Sequence, residues 1–327
     1  MPKARAVRIK GAGGIEVLEL GELEVREPGP NEVLVEVAAA GLNRADVLQR
    51  MGFYPAPKGA PPDVPGLEFA GVVAAVGSDV ETKMGARVMG IVAGGGMATH
   101  LVAHERELVP VPEGMSLEDA AAVPEAFLTA YDALFLQGGL GMGQVALIHA
   151  IASGVGTAAL QLVRASGATA IGTLRSRDKL ERVKALGIEH VLCVEDAKFA
   201  DEVLALAPRG ADVVLDLVGG RYLADDLRAV APRGFVVIVG LLAGARTEID
   251  LGTLLRRRVR LHGTVLRSRP VEERIALARA FERDVIPLFN AGSARPVIDE
   301  VLPMSEIREA HRRMGENATF GKIVLRW

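Results

Sequence analysis

The turn IASGVGTAA combines residue types and a spacing that could bind a phosphate. Gly154, Gly156 and the small Ala159 lie between the apolar run VALIHA and an Ala-rich helical pattern, in the spacing GxGxxA. Glycine lets the backbone turn sharply and approach a pyrophosphate, whose charge the N–H groups of a helix start stabilise. A tight strand-to-helix turn without a ligand is the alternative. The surrounding strands and helices favour a nucleotide site at this turn.

A second group of residues, in GTLRSRDK, indicates which dinucleotide would bind. About twenty residues beyond the turn, a NAD-binding protein places an acidic residue on the ribose hydroxyls. Here Arg175, Ser176, Arg177 and Lys179 surround a single Asp178. Hydroxyl and cationic donors can hold a 2′-phosphate, so the sequence predicts NADPH, held by Arg175, Ser176 and Lys179. An ordinary solvated helix start is the alternative.

Two further strand ends could line the same crevice. They are Val218 with Gly219, and Gly240 with Leu241. Ligands of parallel sheets bind beyond the carboxyl ends of strands, so both pairs are candidate cofactor contacts. Glycines that merely end strands are common, which leaves the plainer interpretation open.

The elements that must position these residues change in character along the chain. Up to about residue 115, short apolar runs alternate with turns, and EVLVEV places Val33, Val35 and Val37 on one strand face. Between about 125 and 266, continuous apolar runs such as DVVLDLV, FVVIVG and VRLHGTVL alternate with helical patterns. Strands buried on both faces with helical crossovers predict an α/β fold with a doubly wound parallel sheet.

Three signals mark the borders of this central region. Ser116, with Asp119 three residues later, predicts a helix start, and Pro124 separates that helix from the next. From Pro270 onward, VEERIALARAFERDVIPLFNAG predicts one long amphipathic helix, and GKIVLRW predicts a final strand. This tail is too small to fold alone and is expected to pack on the amino-terminal region.

Composition narrows the classes of function. The chain has 327 residues, which suggests roughly two domains. With 38 Lys and Arg against 41 Asp and Glu, the net charge of −3 disfavours nucleic-acid binding by bulk charge. Cys193 is the single cysteine, so an intrachain disulfide is excluded and a cytoplasmic, reducing compartment is expected. The amino terminus lacks a signal-peptide core, and glycines interrupt the apolar stretch Val145–Val163, so no membrane segment is predicted.

Several motifs give the sequence a family resemblance that runs nearly end to end. They are AGLNRADVLQRMGFYPAPKGA from Ala40, PGLEFAGVVAAVG from Pro65, AAVPEAFLTAYDAL from Ala121, IASGVGTAALQLV from Ile151 and GKIVL from Gly321. The chain resembles the zinc-independent quinone oxidoreductases of the medium-chain dehydrogenase/reductase superfamily. GLNRADVLQR, PEAFLTA and TVLRSR resemble the branch of the p53-inducible quinone oxidoreductase most.

The resemblance implies an architecture. A GroES-like catalytic domain would comprise residues 1–123 and 268–327, and a Rossmann NADPH-binding domain would comprise residues 124–267. It also implies a homodimer joined through the Rossmann sheets.

The resemblance also implies roles for single residues. Tyr54 and Asn43 would line the nicotinamide and substrate site as the catalytic residues. The cofactor contacts it implies are Thr129, the turn Ser153, Gly154, Val155 and Gly156, the backbone of Leu266 and Arg267, and Thr319. A loop tyrosine packed on neighbouring prolines is the alternative for Tyr54. For Asn43 the alternative is a helix N-cap opening NRADVLQR, and both interpretations can hold together.

No metal site is expected. Zinc-dependent relatives hold the metal with a cysteine and a histidine, where this sequence has Asn43 and Leu67. His100 and His104 would lie about 13 Å apart along a strand, too far to share an ion. His149 and His262 lie in apolar strand runs and are expected to be hydrogen-bonded core histidines.

Ile151 departs from the resemblance, because relatives have glycine or alanine there. A β-branched side chain does not readily adopt positive φ and would crowd a pyrophosphate, so a weakened affinity for NADPH is expected.

Together with the residue-based prediction of NADPH, the resemblance implies NADPH-dependent reduction of a quinone. Hydride transfer needs the cofactor and acceptor stacked in a dry, oriented site, and the chemistry belongs chiefly to the cofactor. An enoyl or alkenal reductase, acting on a conjugated carbonyl compound, is the alternative enzyme. A NADPH-binding sensor or structural protein without turnover is the alternative outside the enzyme class.

Overall fold

The computed structural model describes residues 3–327, which divide into two compact units. Unit 1 contains the described residues up to Leu128 together with Leu266–Trp327, and unit 2 is Thr129–Val265. Unit 2 is therefore an insertion in the chain of unit 1.

The strands of the described residues are, in chain order, β1 (Lys3–Ile9), β2 (Leu18–Glu24), β3 (Glu32–Leu42), β4 (Glu68–Val76), β5 (Arg87–Ile91), β6 (His100–His104), β7 (Val109–Pro110), β8 (Val145–Ile148), β9 (Thr169–Leu174), β10 (His190–Cys193), β11 (Ala211–Asp216), β12 (Val230–Ile238), β13 (Arg260–Gly263), β14 (Ile298–Pro303) and β15 (Lys322–Arg326). The helices are α1 (Arg44–Arg50), α2 (Leu117–Ala120), α3 (Pro124–Tyr131), α4 (Gly154–Ala165), α5 (Leu180–Lys184), α6 (Ala200–Leu206), α7 (Tyr222–Ala229), α8 (Leu251–Arg257), α9 (Val271–Asp284), α10 (Ile286–Asn290) and α11 (Ile307–Gly315). A π-helical turn, Asp132–Gln137, continues α3.

Unit 2 is built on a six-stranded parallel sheet with the order β10-β9-β8-β11-β12-β13. This is the strand order of a Rossmann fold, with its topological switch point between β8 and β11. The apolar runs put buried residues such as Leu147, Ile171, Val214 and Val236 into the core of this unit. The predicted doubly wound parallel sheet is confirmed.

The outermost strand of that sheet corrects one sequence-based expectation. All residues of β13 are exposed, because β13 is an edge strand that pairs only with β12 among the strands of residues 3–327. His262 is therefore an exposed residue, and the expectation of a core histidine is wrong.

Unit 1 is built mainly on a seven-stranded sheet with the order β14-β15-β3-β4-β5-β7, in which β6 also pairs with β3. Val33, Val35 and Val37 of β3 are buried, as their alternation predicts. The tail completes this sheet, because β15 pairs antiparallel with β3 and places Ile323 opposite Leu42. The expected packing of the tail on the amino-terminal region is confirmed.

Local signals at two helix borders have different outcomes. The hydroxyl of Ser116 accepts a 2.9 Å hydrogen bond from the backbone N–H of Asp119, so the predicted cap of α2 is confirmed. The long helix predicted after Pro270 is instead two helices, α9 and α10, with a break at Val285. Pro287 explains the break, because it has no N–H to donate and its ring would clash with the preceding turn.

None of the helices formed by residues 3–327 combines the length and the apolar character needed to span a bilayer.

Candidate cofactor and substrate site

In unit 2, the turn between β8 and α4 has the geometry of an anion site. Ser153 caps α4 by accepting a 3.0 Å hydrogen bond from the backbone N–H of Gly156. A Cβ atom on Gly156 would lie 2.5 Å from the carbonyl oxygen of Ala150, so only glycine allows this tight turn. The first N–H groups of a helix have no acceptor within it, and those of Gly154 and Val155 can therefore bind an anion.

Ile151 lies within this turn, but its side chain does not crowd the expected pyrophosphate position. The residue with positive φ is Ala150, at 48°, and not Ile151. The Ile151 side chain is fully buried and packs against the backbone of Gly172 in β9, where a Cβ would lie 2.8 Å from Cγ1 of Ile151. The physical reason for expecting a weakened NADPH affinity is therefore wrong, because this isoleucine fills the core below the turn.

The end of β9 presents the predicted cationic and hydroxyl donors. Arg175 and Ser176 are exposed and Lys179 is partly buried. The Ser176 hydroxyl donates a short hydrogen bond to the carboxylate of Asp178, and this bond is the main cause of the lowered pKa of Asp178. The segment after β9 thus carries three cations, Arg175, Arg177 and Lys179, and one carboxylate, Asp178.

The two other strand ends lie at the same edge of the sheet. Asp216, the last residue of β11, accepts 2.8 Å hydrogen bonds from the N–H groups of Val218 and Gly219. The next turn approaches closely, because a Cβ on Gly219 would lie 2.8 Å from the carbonyl oxygen of Gly240. Leu241 beyond it is 56% exposed. The parallel strands β8, β9, β11 and β12 therefore bring the predicted cofactor residues that follow them to one edge of the sheet.

In unit 1, Tyr54 is held by Arg267. The buried guanidinium of Arg267 lies 5.2 Å from the ring centroid of Tyr54 and donates to its carbonyl oxygen at 3.1 Å. Arg267 also donates to the carbonyl oxygen of Ala93 and to Oε1 of Gln49, both at 2.6 Å. The sequence suggested only a backbone role for Arg267, whereas its side chain fixes the loop that carries Tyr54.

The hydroxyl of Tyr54 is suited to donate a hydrogen bond rather than to release its proton. Burial, and then the nearby charge of Glu125, raise the pKa of this phenol, while Arg267 opposes the shift. A raised pKa keeps the hydroxyl protonated at neutral pH.

Of the two interpretations that the sequence left open for Asn43, the structure shows the helix N-cap. Asn43 is the N-cap residue of α1, where its backbone N–H donates to Asp46 at 2.8 Å. Its side-chain amide donates to Oε1 of Glu68 at 2.8 Å and accepts from Nζ of Lys322 at 2.6 Å. The amide of Asn43 is thus engaged in a buried polar network.

Three residues of this network carried no sequence signal. The Glu68 carboxylate is fully buried and accepts from Asn43, from Lys322 at 2.5 Å and from the backbone N–H of Glu125 at 2.8 Å. Lys322 donates its third hydrogen bond to the carbonyl oxygen of Leu42 at 2.9 Å. Burial and the charge of Glu68 raise the pKa of Glu125 to about 8, so its carboxyl group is mostly protonated at neutral pH.

This donor set does not fit the zinc ion of metal-dependent relatives. The expected ligand positions carry Asn43, whose amide is engaged, and Leu67, a buried side chain without a ligand atom. The ammonium of Lys322 already supplies a cation to Asn43 and Glu68.

The remaining candidate cofactor residues and the histidines lie at separate places in the fold. Thr129, on α3, is 5% exposed, Leu266 is 7% exposed, and Thr319 is partly buried. His100 and His104 lie at the two ends of β6, as the spacing predicts. His149 is fully buried and hydrogen-bonded to Thr173 and Asp226, which confirms it as a core histidine.

Two family models match the chain. A zinc-binding dehydrogenase model covers residues 154–282, and an alcohol dehydrogenase GroES-like domain model covers residues 29–113. Among curated proteins, the synaptic vesicle membrane protein VAT-1 homolog of Rattus norvegicus is 33% identical over 99% of this chain and 84% of its own length.

Solved structures of similar proteins also align with nearly the whole chain. The quinone oxidoreductase of Pseudomonas syringae pv. Tomato DC3000 is 32% identical with a TM-score of 0.89, over 99% of this chain and 100% of its own. The CurK enoyl reductase is 29% identical with a TM-score of 0.87, over 99% of both chains.

Proposed function

Because the chain belongs to the medium-chain dehydrogenase/reductase superfamily, we propose that it is a NADPH-dependent quinone reductase that acts without a metal ion. Within that superfamily we place it with the zinc-independent quinone oxidoreductases, in the branch of the p53-inducible enzyme. GLNRADVLQR, PEAFLTA and TVLRSR support this placement.

The proposal rests on the carboxyl-terminal ends of the parallel strands in unit 2, which together are called the dinucleotide edge. A glycine turn with available N–H groups follows β8, and the donors Arg175, Ser176 and Lys179 follow the neighbouring β9. The turn suits a pyrophosphate and the cations suit a 2′-phosphate. The bound NADPH would supply the hydride, and this chain would bind and orient it.

Tyr54 and Asn43 are proposed for the substrate side. A hydrogen bond from the Tyr54 hydroxyl would orient and polarise a quinone oxygen, while Arg267 keeps the ring in place. A quinone suits this arrangement, because the reduced hydroquinone anion takes its proton from water and needs no strong acid. Asn43 would line the substrate side, held in place as the N-cap of α1 and by its hydrogen bonds with Glu68 and Lys322.

The likeness to the CurK enoyl reductase favours a second candidate function, reduction of a conjugated enoyl or alkenal substrate. Hydride addition to such a substrate leaves a carbanion that needs a proton. A strong acid is therefore more important for this reaction than for the reduction of a quinone. A NADPH-binding protein without turnover is the third proposal, and it requires only the dinucleotide edge.

The first experiment follows NADPH oxidation by absorbance with ortho- and para-quinones and with a conjugated alkenal, each repeated with NADH. Saturable quinone reduction restricted to NADPH supports the proposal. Preference for the alkenal would favour the enoyl reductase. Tight NADPH binding without turnover on any acceptor would favour the binding protein.

Replacing Lys179 by alanine is expected to weaken NADPH binding by about 10- to 100-fold, the effect of a lost charge-assisted hydrogen bond. The affinity for NADH should not change, because NADH has no 2′-phosphate. Titration with each dinucleotide measures both. Lys184→Ala is the matched control, since this exposed lysine of α5 pairs with Glu181 at 3.1 Å. Equal losses for NADPH and NADH would contradict the cofactor assignment.

Replacing Tyr54 by phenylalanine is expected to lower kcat about tenfold, because one hydrogen bond to the acceptor is lost while the ring stays packed on Arg267. The affinity for NADPH, measured by titration, should be unchanged. An unaltered kcat would restrict Tyr54 to a packing role.

A homodimer is proposed through the free edge of the parallel sheet. Unit 2 exposes the edge strand β13 and the side chains of Leu251, Leu255 and Val265. An exposed edge strand with apolar side chains favours pairing with a second copy. Localisation in the cytoplasm, without nucleic-acid or membrane partners, is proposed from the composition.

A further inference from the structure

Three buried titratable residues lie at the switch point of the parallel sheet in unit 2. His149 follows β8, Asp216 ends β11 and Asp226 lies on α7, and all three are fully buried. One ligand atom of each lies within 4.8 Å of the others. His149 begins the turn after β8 and Asp216 precedes the turn after β11, and both turns are proposed to bind the dinucleotide.

Most polar atoms of this cluster have partners. Nδ1 of His149 lies 2.9 Å from the hydroxyl of Thr173, and Nε2 lies 2.7 Å from Oδ1 of Asp226. Oδ1 of Asp216 accepts from the N–H groups of Val218 and Gly219. The cluster therefore connects β9, the end of β8, α7 and the turn after β11.

Two buried oxygens have no partner in the described residues, Oδ2 of Asp216 and Oδ2 of Asp226. Leaving a buried charged oxygen without a hydrogen bond is costly. A proton on Oδ2 of Asp226, donated to Oδ2 of Asp216, would satisfy both oxygens together. Protonating His149 instead would leave both without a partner.

We propose that His149, Asp216 and Asp226 form a positioning relay, in which a proton on Asp226 locks the two dinucleotide-binding turns together. The Thr173 hydroxyl donates to Nδ1 of a neutral His149, whose Nε2–H donates to Asp226. Asp226 then donates its proton to Asp216, which accepts the N–H groups of the turn after β11. Every donor and acceptor is used, and the cluster keeps one negative charge.

The groups around Asp226 agree with a bound proton. Burial raises the pKa of Asp226 to about 6, the interaction with His149 opposes the shift, and the charges of Asp216 and Asp225 add to it. Tyr222 and Phe199 pack their rings on His149 at 5.0 and 4.8 Å between centroids, which keeps water from the imidazole. The relay is therefore complete in mildly acidic solution and loses its proton as the pH rises.

The test compares the wild type with Asp226→Asn, without dinucleotide. The asparagine keeps the relay at every pH, since its carbonyl oxygen accepts from His149 and its amide donates to Asp216. The melting temperature of Asp226→Asn is expected to match that of the wild type near pH 4, where the unfolded chain also binds this proton, and to exceed it by roughly 5 °C near pH 8. Equal pH slopes, or a less stable variant near pH 8, would overturn the relay.

Asp225→Asn is the matched control on the same helix. The carboxylate of Asp225 accepts from the N–H groups of Phe199 and Ala200 at 2.6 and 2.7 Å and pairs with Arg228 at 2.8 Å. This variant should be less stable than the wild type at both pH values.

A metal site is the alternative occupant of the cluster. Zn²⁺ or Mn²⁺ that stabilises the wild type but not Asp226→Asn would overturn the proposal in favour of a metal site.

Infrared spectroscopy detects the proposed proton directly. Because Glu125 also carries a protonated carboxyl group, the readout is the difference spectrum between the wild type and Asp226→Asn. This difference should contain the carbonyl stretch of a buried protonated carboxyl group near pH 5, and the band should fade as the pH rises. A band that is missing from the difference near pH 5 would overturn the proposal.

The link to the two turns rests on the proposed function and has its own readout. The Kd for NADP⁺ of the wild type should rise about tenfold more than that of Asp226→Asn between about pH 5 and pH 8. Identical pH dependence of both Kd values would remove the link to the turns. If neither protein binds NADP⁺ while the stability results hold, the proposed function fails and the relay stands.

Discussion

Replacing Lys322 by methionine is expected to destabilise unit 1 by about 3–5 kcal/mol, because it leaves the buried carboxylate of Glu68 without its cation. The two charged atoms lie 2.5 Å apart, and Glu68 has no exposed surface. The same substitution removes the donor to Asn43 and to the carbonyl oxygen of Leu42. Methionine preserves the length of the side chain, so the loss reports on charge and hydrogen bonds.

Urea unfolding of the full chain measures this effect, with Lys83→Met as the control. Lys83 is exposed, so its replacement should change the free energy of unfolding little. Glu68→Gln in the Lys322→Met background should recover part of the loss, because the uncompensated charge is gone. A single variant as stable as Lys83→Met would show that the buried pair contributes nothing.

Local signals allowed much of this fold to be predicted from the sequence. The Ser116 cap depends on a residue three positions away, and the alternation of β3 depends on its own side chains. The apolar runs from residue 125 onward predicted the parallel sheet, because each run reports the burial of its own strand. The burial of β13 was predicted wrongly, because an edge strand and a central strand can have equally apolar sequences.

The buried polar partners could not be predicted, because they are distant in the sequence. Lys322 and Glu68 are 254 residues apart, and His149 and Asp226 are 77 apart. The long reach of Arg267 to Gln49, 218 residues away, was hidden in the same way. Each residue alone resembles an ordinary surface charge or a lone histidine. Only the fold brings opposite charges and hydrogen-bond partners together.

Glu125 and Glu68 lie close together in the fold, but their carboxyl groups have different hydrogen-bond partners. Glu68 accepts hydrogen bonds from Asn43, Lys322 and the backbone N–H of Glu125. No such donor to the Glu125 carboxyl group is among the causes that shift its pKa, which are burial and then the charge of Glu68, opposed by Lys322. The Glu68 carboxylate therefore has several hydrogen-bond donors, whereas the Glu125 carboxyl group favours its neutral form.

Replacing Glu125 by glutamine is expected to make the protein more stable at neutral and alkaline pH. The unfolded chain releases this proton near pH 4.5, whereas the folded chain holds it until about pH 8. Between these values the folded state binds more protons, so its stability falls as the pH rises. At about 1.4 kcal/mol per pKa unit, the loss by pH 8 amounts to roughly 5 kcal/mol, which the glutamine variant avoids.

Denaturant unfolding across the pH range measures this difference, with Glu113→Gln as the control for an exposed glutamate. The free-energy curves of Glu125→Gln and the wild type should meet near pH 4.5 and separate steadily up to about pH 8, with no further separation above it. The control should follow the wild type throughout. Parallel curves for Glu125→Gln would show that Glu125 ionises normally, and that Glu68 is too well compensated by Lys322 to affect its neighbour.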